Sequence, residues 1–253
     1  MISNKKIILI GGTGVLGKYF SNELSKKNQL HVADISLKNK KLGPNLFAYS
    51  LDISNEKQVK KFFFELVKNH GTFDVLINNA AFTTEMAAKT FKKKDHKDFL
   101  STKIWNKTID VNLKGSFLTC KYFIKYNHSK KLDQRVINIG TIYALNSPHH
   151  EIYNKENFFS SISYSASKAG LIGMTKWLAT KYASEKTYFN VISPAGVFNN
   201  HKGNFLKNYK KLIPTKKMAT QKQIFSAIKF LLSEDSDYVI GQNIYVDGGF
   251  SAW

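Results

Sequence analysis

Short apolar runs recur along this chain, each followed by a longer stretch with a helical rhythm. "KIILIGG" reads as a short buried strand, and Val15 to Lys26 as a helix that opens on glycines. "LHVADIS" is a second strand, and Glu56 to Asn69 an amphipathic helix. "FDVLINNAA" is a third strand, followed by a long helix from Lys103 to Lys125. Then come "RVINIGTIYA", a helix from Tyr164 to Ser184, "YFNVISPAG", a helix from Gln221 to Leu232, and "NIYVDGG". Apolar runs of this length between helices imply parallel strands covered on both faces. The pattern predicts an α/β fold, a doubly wound parallel sheet in one domain spanning 1–253. Three stretches stay irregular: 82–102, 142–163 and 198–217. In such a fold, long loops after the carboxyl ends of strands surround the ligand crevice.

Composition narrows the class. Hydrophobic residues make up 43% and charged residues 22%, as in a soluble globular protein. The apolar run after "MISNKK" is too short for a signal peptide or a membrane span, so a cytoplasmic location and no membrane partner are expected. A single cysteine, Cys120, excludes an intrachain disulfide and any cysteine-based metal cluster. The formal charge of +20 raises the question of nucleic acid. Arg135 is the sole arginine, and the lysines are spread along the chain. Base readout favours the planar arginine fork, so no nucleic-acid partner is expected. The basic charge reads as compositional bias, or as attraction of an anionic small-molecule substrate.

"ILIGGTGVLGKYF" places Gly12, Gly14 and Gly17 in a G-x-G-x-x-G pattern between the first strand and the first helix. Glycine there allows tight turning and close approach of backbone to a pyrophosphate, which the helix N-terminus attracts. This is the dinucleotide cradle of a Rossmann sheet. Asp34 ends the second strand, and a carboxylate there accepts hydrogen bonds from ribose hydroxyls and repels a 2′-phosphate. NAD(H) is therefore expected in preference to NADP(H).

Tyr-x-x-x-Lys occurs three times: Tyr126 with Lys130, Tyr164 with Lys168, and Tyr182 with Lys186. Each could set two side chains together on a helix. A free tyrosine has a pKa of about 10, too high for a base at neutral pH. An ammonium about 4 Å away contributes up to roughly 4 kcal/mol at an effective dielectric of about 20, and so would lower that pKa. Spacing alone does not choose among the three.

Order does. "GGTGVLG", "ADIS", "LDIS", "NNAA", "DVNLKG", "NIGT", "YSASKAG", "NVISPAGVF" and "GQNIYVDGGF" together resemble the short-chain dehydrogenase/reductase family, in its compact single-domain branch. The resemblance spans nearly the whole chain. It implies an NAD(P)-dependent oxidoreductase acting on CH–OH donors. It assigns catalysis to Asn112, Thr141, Tyr164 and Lys168, with Thr141 in a slot usually held by serine. Asn112 would hold a water in a proton relay behind the lysine. Lys168 would also hydrogen-bond the nicotinamide ribose. The implied cofactor residues are Gly11, Gly12, Thr13, Gly14, Val15, Leu16, Gly17, Asp34, Asp52, Ile53, Asn78, Ala80, Tyr164, Lys168, Pro194, Val197 and Asn199. The resemblance also implies a homo-oligomer, a dimer or tetramer, through the helices at 103–125 and 164–184.

Thr141 and Tyr164 are 23 residues apart, wider than the family's usual separation. The extra stretch lies between two catalytic groups and includes His149, His150, Glu151 and Asn154. No third ligand at useful spacing follows the paired histidines, so no metal is expected. This stretch, "FNNHKGNFLKNYKK" and "VDGGFSAW" resemble a bacterial subgroup associated with flagellin or surface-polysaccharide sugars. A sugar or activated sugar is the expected substrate. The alternatives are a polyol or sugar acid, a 3-ketoacyl thioester, or a dinucleotide-sensing or nucleic-acid-binding protein that keeps the fold without turnover.

Overall fold

The computed structural model describes residues 2–92, 98, 100–127, 133–153 and 160–252. Eight strands form one sheet: β1 (Lys6–Ile10), β2 (Gln29–Asp34), β3 (Lys40–Gly43), β4 (Leu46–Ser50), β5 (Val75–Asn78), β6 (Gln134–Ile139), β7 (Thr187–Pro194) and β8 (Asn243–Val246). Their order is β3-β4-β2-β1-β5-β6-β7-β8. Every neighbouring pair is parallel except β3 with β4.

The helices are α1 (Val15–Ser25), α2 (Glu56–His70), α3 (Thr84–Thr90), α4 (Thr102–Ile109), α5 (Ser116–Asn127), α6 (Ile162–Tyr182), α7 (Gly203–Leu212) and α8 (Gln221–Leu232). Alternate side chains of a strand point to opposite faces. Ile8 and Ile10 of β1 therefore join Phe63 of α2, Phe123 of α5 and Leu178 of α6 in one core. Ile7 and Leu9 join Phe20 and Leu24 of α1 and Phe225 and Leu231 of α8 in the other. A continuous apolar strand is the signature of this double cover.

The structure corrects the sequence reading in four places. β3 and β4 carry no strand pattern in the sequence, because "KKLG" is polar and mostly exposed and "LFAYS" is only partly buried at the sheet's margin. The single helix expected at 103–125 is α4, a π-helical turn at Asp110–Gly115, and α5. The stretches expected to be irregular contain α3, short 3₁₀ turns at Ile142–Ala144 and His150–Tyr153, and α7. The tyrosine helix starts at Ile162 rather than Tyr164, because Ser161 caps it.

The chain leaves β1 toward β2 on one side and later returns to β5 on the other. The loops after β1 and β5 diverge at that reversal and open a crevice at the carboxyl ends of the strands.

Candidate active site

The nucleotide end is built from backbone. Gly11 has φ +84°, and a Cβ there would lie 2.4 Å from the Ala80 nitrogen. A Cβ on Gly17 would lie 2.1 Å from the Gly11 carbonyl oxygen. These two glycines let the loop, the following helix and the β5 exit close on one another. Gly14 differs. Its φ is −70°, and a Cβ there would meet nothing within 4 Å. Neither strain nor packing inside the chain calls for glycine at this position, which faces open space at the N-terminus of α1. No side chain caps α1, so the N–H groups of its first turn are available to an anion. Val15 is exposed there, while Leu16 is half-buried against the α1 face of the sheet.

Asp34 stands at the end of β2. Its carboxylate accepts from the Thr13 N–H (3.1 Å), the Ser36 N–H (3.0 Å) and the Ser36 hydroxyl (2.9 Å). Burial pushes its pKa up, but these hydrogen bonds outweigh that and hold it below the usual carboxylate value. The acid is ionised and aimed across the loop. Asn79, which the sequence reading passed over, donates to the Gly11 carbonyl at 2.6 Å and ties the β5 exit to the cradle.

Neighbouring Asn78 behaves otherwise. Its amide donates to the Asn138 side chain (2.8 Å), and its oxygen accepts from Thr119 (2.8 Å). Asn138 in turn donates to Thr175 of α6 at 2.9 Å. This buried polar chain fixes α5 and α6 against β5 and β6, so the Asn78 carboxamide points into the protein. Asp52 accepts from the Ser54 N–H and hydroxyl. The Ile53 side chain is buried against Gly115. Pro194 ends β7, Val197 bridges to Ala219, and the N–H of exposed Asn199 donates to His201 Nδ1 at 3.2 Å.

The chemistry-bearing side chains converge at the end of β6. Ser161 accepts a hydrogen bond from the Tyr164 N–H, which puts Tyr164 in the first turn of α6. Lys168 follows one turn later, 2% exposed, with Nζ donating to the Ile139 carbonyl at 2.6 Å. Lysine carries three donors, so others remain. Thr141, two residues beyond Ile139, stands near enough to the Tyr164 hydroxyl to hold its pKa down against burial. Asn112 sits fully buried in the π-helical turn. It accepts from the Phe82 N–H (2.6 Å) and donates to the Phe82 carbonyl and the Ser167 hydroxyl (both 3.2 Å). Both its N–H groups are used, which leaves one lone pair of Oδ1 for a water.

The Tyr182–Lys186 pair is built differently. Lys186 lies beyond the end of α6 in a left-handed conformation and pairs with Asp133 at 3.5 Å. Tyr126 stacks on Tyr122, and its partner Lys130 lies outside the described residues. Tyr164 and Lys168 lie one turn apart in α6, beside the end of β6.

One electrostatic expectation is overturned. Lys168 was expected to lower the Tyr164 pKa. Burial instead pushes Tyr164 up to about 12, with the charge of Glu85 adding to the rise and the Thr141 hydroxyl opposing it. The lysine is not among the causes, because its own burial brings it down to about 8. Glu85, on α3, was not legible as a site residue. Its helix is brought in by the Ser161 N–H, which donates to Thr84 at 3.4 Å.

The substrate side also departs from expectation. Read as polar loops, 142–163 and 198–217 pack Ile142, Ile152, Tyr153, Tyr209, Ile213 and Phe250 into a small core of their own. Its polar groups are phenols. Tyr143 and Tyr153 hydroxyls meet at 3.0 Å, and Tyr209 accepts from the Gly196 N–H at 2.5 Å. Burial raises the pKa of all three. Lys202, Lys207 and Lys210 face solvent, and Asn154 lies outside the described residues. Arg135, the sole arginine, is buried in β6, pairs with Asp237 and packs over the Tyr188 ring.

Comparisons with known proteins agree with this fold. A family model described as "Enoyl-(Acyl carrier protein) reductase" matches residues 24–251. The chain is 33% identical to a 3-oxoacyl-(acyl-carrier-protein) reductase FabG of Buchnera aphidicola subsp. Baizongia pistaciae, over 98% of each sequence. It is 24% identical to "Post-translational flagellin modification protein A" of Campylobacter coli, over 99% of each. A short chain dehydrogenase from Leptospira borgpetersenii, solved with bound NAD+, superposes with a TM-score of 0.86 and 29% identity, covering 99% of this chain and 94% of that one. The chain therefore belongs to the short-chain dehydrogenase/reductase family, whose members are nicotinamide-dependent oxidoreductases acting on CH–OH groups.

Proposed function

We propose that this protein interconverts a secondary alcohol and a ketone with NAD(H), on a sugar or activated sugar. The observation that carries the reaction is the placement of Thr141, Tyr164 and Lys168 together at the end of β6, on the side where the Gly11–Gly17 cradle opens. When bound, the nicotinamide supplies or accepts the hydride. The chain's own groups handle the oxygen. Thr141 orients it by hydrogen bonding, and the Tyr164 hydroxyl exchanges a proton with it. Lys168 has donors left for the ribose, and Asn112 braces α6 through Ser167. Protonated, the Tyr164 phenol donates to a carbonyl oxygen in reduction, and as phenolate it accepts the alcohol proton in oxidation.

Asp34 supports NAD(H), since an ionised carboxylate there repels a 2′-phosphate. Gly11, Gly12, Thr13, Gly14, Val15, Leu16 and Gly17 would hold the pyrophosphate. The ends of β4, β5 and β7, with Asp52, Ala80, Pro194, Val197 and Asn199, would flank adenosine and nicotinamide. Cofactor oxidation followed against a panel of keto-sugars and activated sugars tests the reading. Activity on acetoacetyl thioesters, with none on any sugar, sinks the substrate half of it.

The half-buried Tyr143 phenol, backed by the buried phenols of Tyr153 and Tyr209, supports a hydroxylated substrate. The apolar core around them supports a second reading, a 3-ketoacyl thioester. A homo-oligomer is part of the proposal: Trp105 and Phe117 on α4 and α5, and Trp177 on α6, are 40–64% exposed. Light scattering that returns a 28.8 kDa monomer at micromolar concentration excludes it.

A further inference from the structure

Between the two substrate loops lies a cavity of about 580 Å³. Leu145, Asn146, Ser147 and His149 line it from the stretch after Thr141, Lys211 from the end of α7, and Phe250 from the C-terminal turn. The His149 ring meets Phe250 edge-on at 5.9 Å, and Phe250 meets Tyr143 at 6.4 Å. The cavity thus adjoins the phenol cluster without containing Tyr164 or Thr141. No acid lines it. Asp247, just before Phe250, spends its carboxylate on the Gly249 and Ser251 N–H groups and the Ser251 hydroxyl. Asn146 is held in place by its own bond to the Ile142 carbonyl at 3.0 Å.

The lining is therefore cationic and hydrogen-bonding on one part and apolar on another. The cavity opens to solvent, with Phe250 buried at its apolar side and Lys211, His149 and Ser147 exposed at its polar side. The distance to the chemistry is set by the 3₁₀ turn at Ile142–Ala144. A rise of about 2 Å per residue puts Leu145 roughly 8 Å beyond Thr141 along that turn.

We propose that this cavity holds a phosphate-bearing tail of the substrate, with Lys211 and His149 on the phosphate and Phe250 against the ring or chain next to it. The inference rests on the oxidoreductase reading, which puts the reacting oxygen at Thr141 and Tyr164. A substrate that fills both places carries its phosphate about one spacer length from the carbonyl. A nucleotide-activated sugar and a phosphopantetheine thioester share that chemistry.

Calorimetry decides it without turnover. Protein saturated with NAD+, so that the cradle is occupied, is titrated with UDP and separately with coenzyme A. Binding of either, weakened at least tenfold by Lys211→Glu and severalfold by His149→Ala, is the expected result. Tighter UDP identifies the tail as nucleotide-sugar-like, and tighter coenzyme A as thioester-like. Failure of both probes to bind the wild type, or equal binding by Lys211→Glu, overturns the proposal. Lys211 is exposed, so the charge reversal should fold, and an unchanged melting temperature and NADH affinity verify that. Loss of NADH binding in the wild type would instead defeat the oxidoreductase reading itself.

Discussion

The two ends of this crevice are built in opposite ways. At the nucleotide end, backbone meets backbone: a Cβ on Gly17 would lie 2.1 Å from the Gly11 carbonyl, and one on Gly11 would lie 2.4 Å from the Ala80 nitrogen. At the substrate end, side chains meet side chains: Tyr143 with Tyr153, Tyr153 with Phe205, Phe205 with Tyr209. Backbone contacts leave no freedom of residue type, whereas an aromatic cluster can be rebuilt from other large residues of similar volume. The rigid end suits a ligand common to many enzymes, and the adaptable end a ligand particular to one. Tyr164 stands where the two meet.

Replacing Tyr164 with Phe should give the largest effect. Turnover should fall by about 10²–10⁴-fold, the usual contribution of a general acid–base group, while NADH affinity stays within about twofold. Tyr126→Phe and Tyr182→Phe should stay within severalfold. A dead Tyr182→Phe would reassign the site. Next in size is Gly17→Ala, which drives a Cβ into backbone that cannot yield. It should weaken NADH by tenfold or more and cost about 1–3 kcal/mol in stability, read by titration and by denaturant melts. Tyr153→Phe, by contrast, should leave NADH affinity unchanged and alter only KM. Equal damage by the two would erase the contrast between the ends.

Asp34→Ser should narrow the gap between NADH and NADPH dissociation constants at matched salt, by about tenfold. Equal affinities in the wild type would refute the assignment of Asp34. Glu85→Gln probes the junction. Removing a charge that raises the Tyr164 pKa must lower it, so the alkaline rise of alcohol oxidation should move to lower pH. A profile of kcat/KM against pH that does not move, or moves upward, would show that Glu85 does not act on Tyr164.

The smallest effect concerns stability beneath the nucleotide end. His31 in β2 is fully buried, and its Nδ1 meets the Tyr49 hydroxyl at 2.9 Å. Burial, then the charges of His70 and Lys6, bring its pKa down to about 3. Its unfolded value is about 6.5. The stability it confers is thus complete above about pH 6.5 and drains away as pH falls toward 3. Melting temperature should drop by a few degrees between about pH 7 and 5, and less so in His31→Phe. Asp34, whose pKa is lowered, loses its contribution only in stronger acid.

What the sequence alone determined was the repeating core and the motifs with fixed local geometry. Ile7 to Ile10 read as a doubly covered strand because burial on both faces demands an unbroken apolar run. The glycine loop, Asp34 and the order of motifs carried the nucleotide end, since backbone constraints leave few residue choices. Tertiary structure decided the rest. β3 and β4 lie at the sheet margin, where burial is too weak to impose a pattern. The break at Asp110–Gly115 is a matter of hydrogen-bond register, to which side-chain periodicity is blind. Asn78 and Asn79 are adjacent and chemically identical, yet one is spent inside the sheet and the other braces the cradle, because successive strand residues face opposite ways. The lysine-rich loops concealed an aromatic core, because the lysines stay in solvent while Tyr153, Tyr209 and Phe250 turn inward. Desolvation also reversed the expected shift of Tyr164: the half-buried phenol, under the charge of Glu85, resists ionisation, and the lysine one turn away is itself too desolvated to offset that.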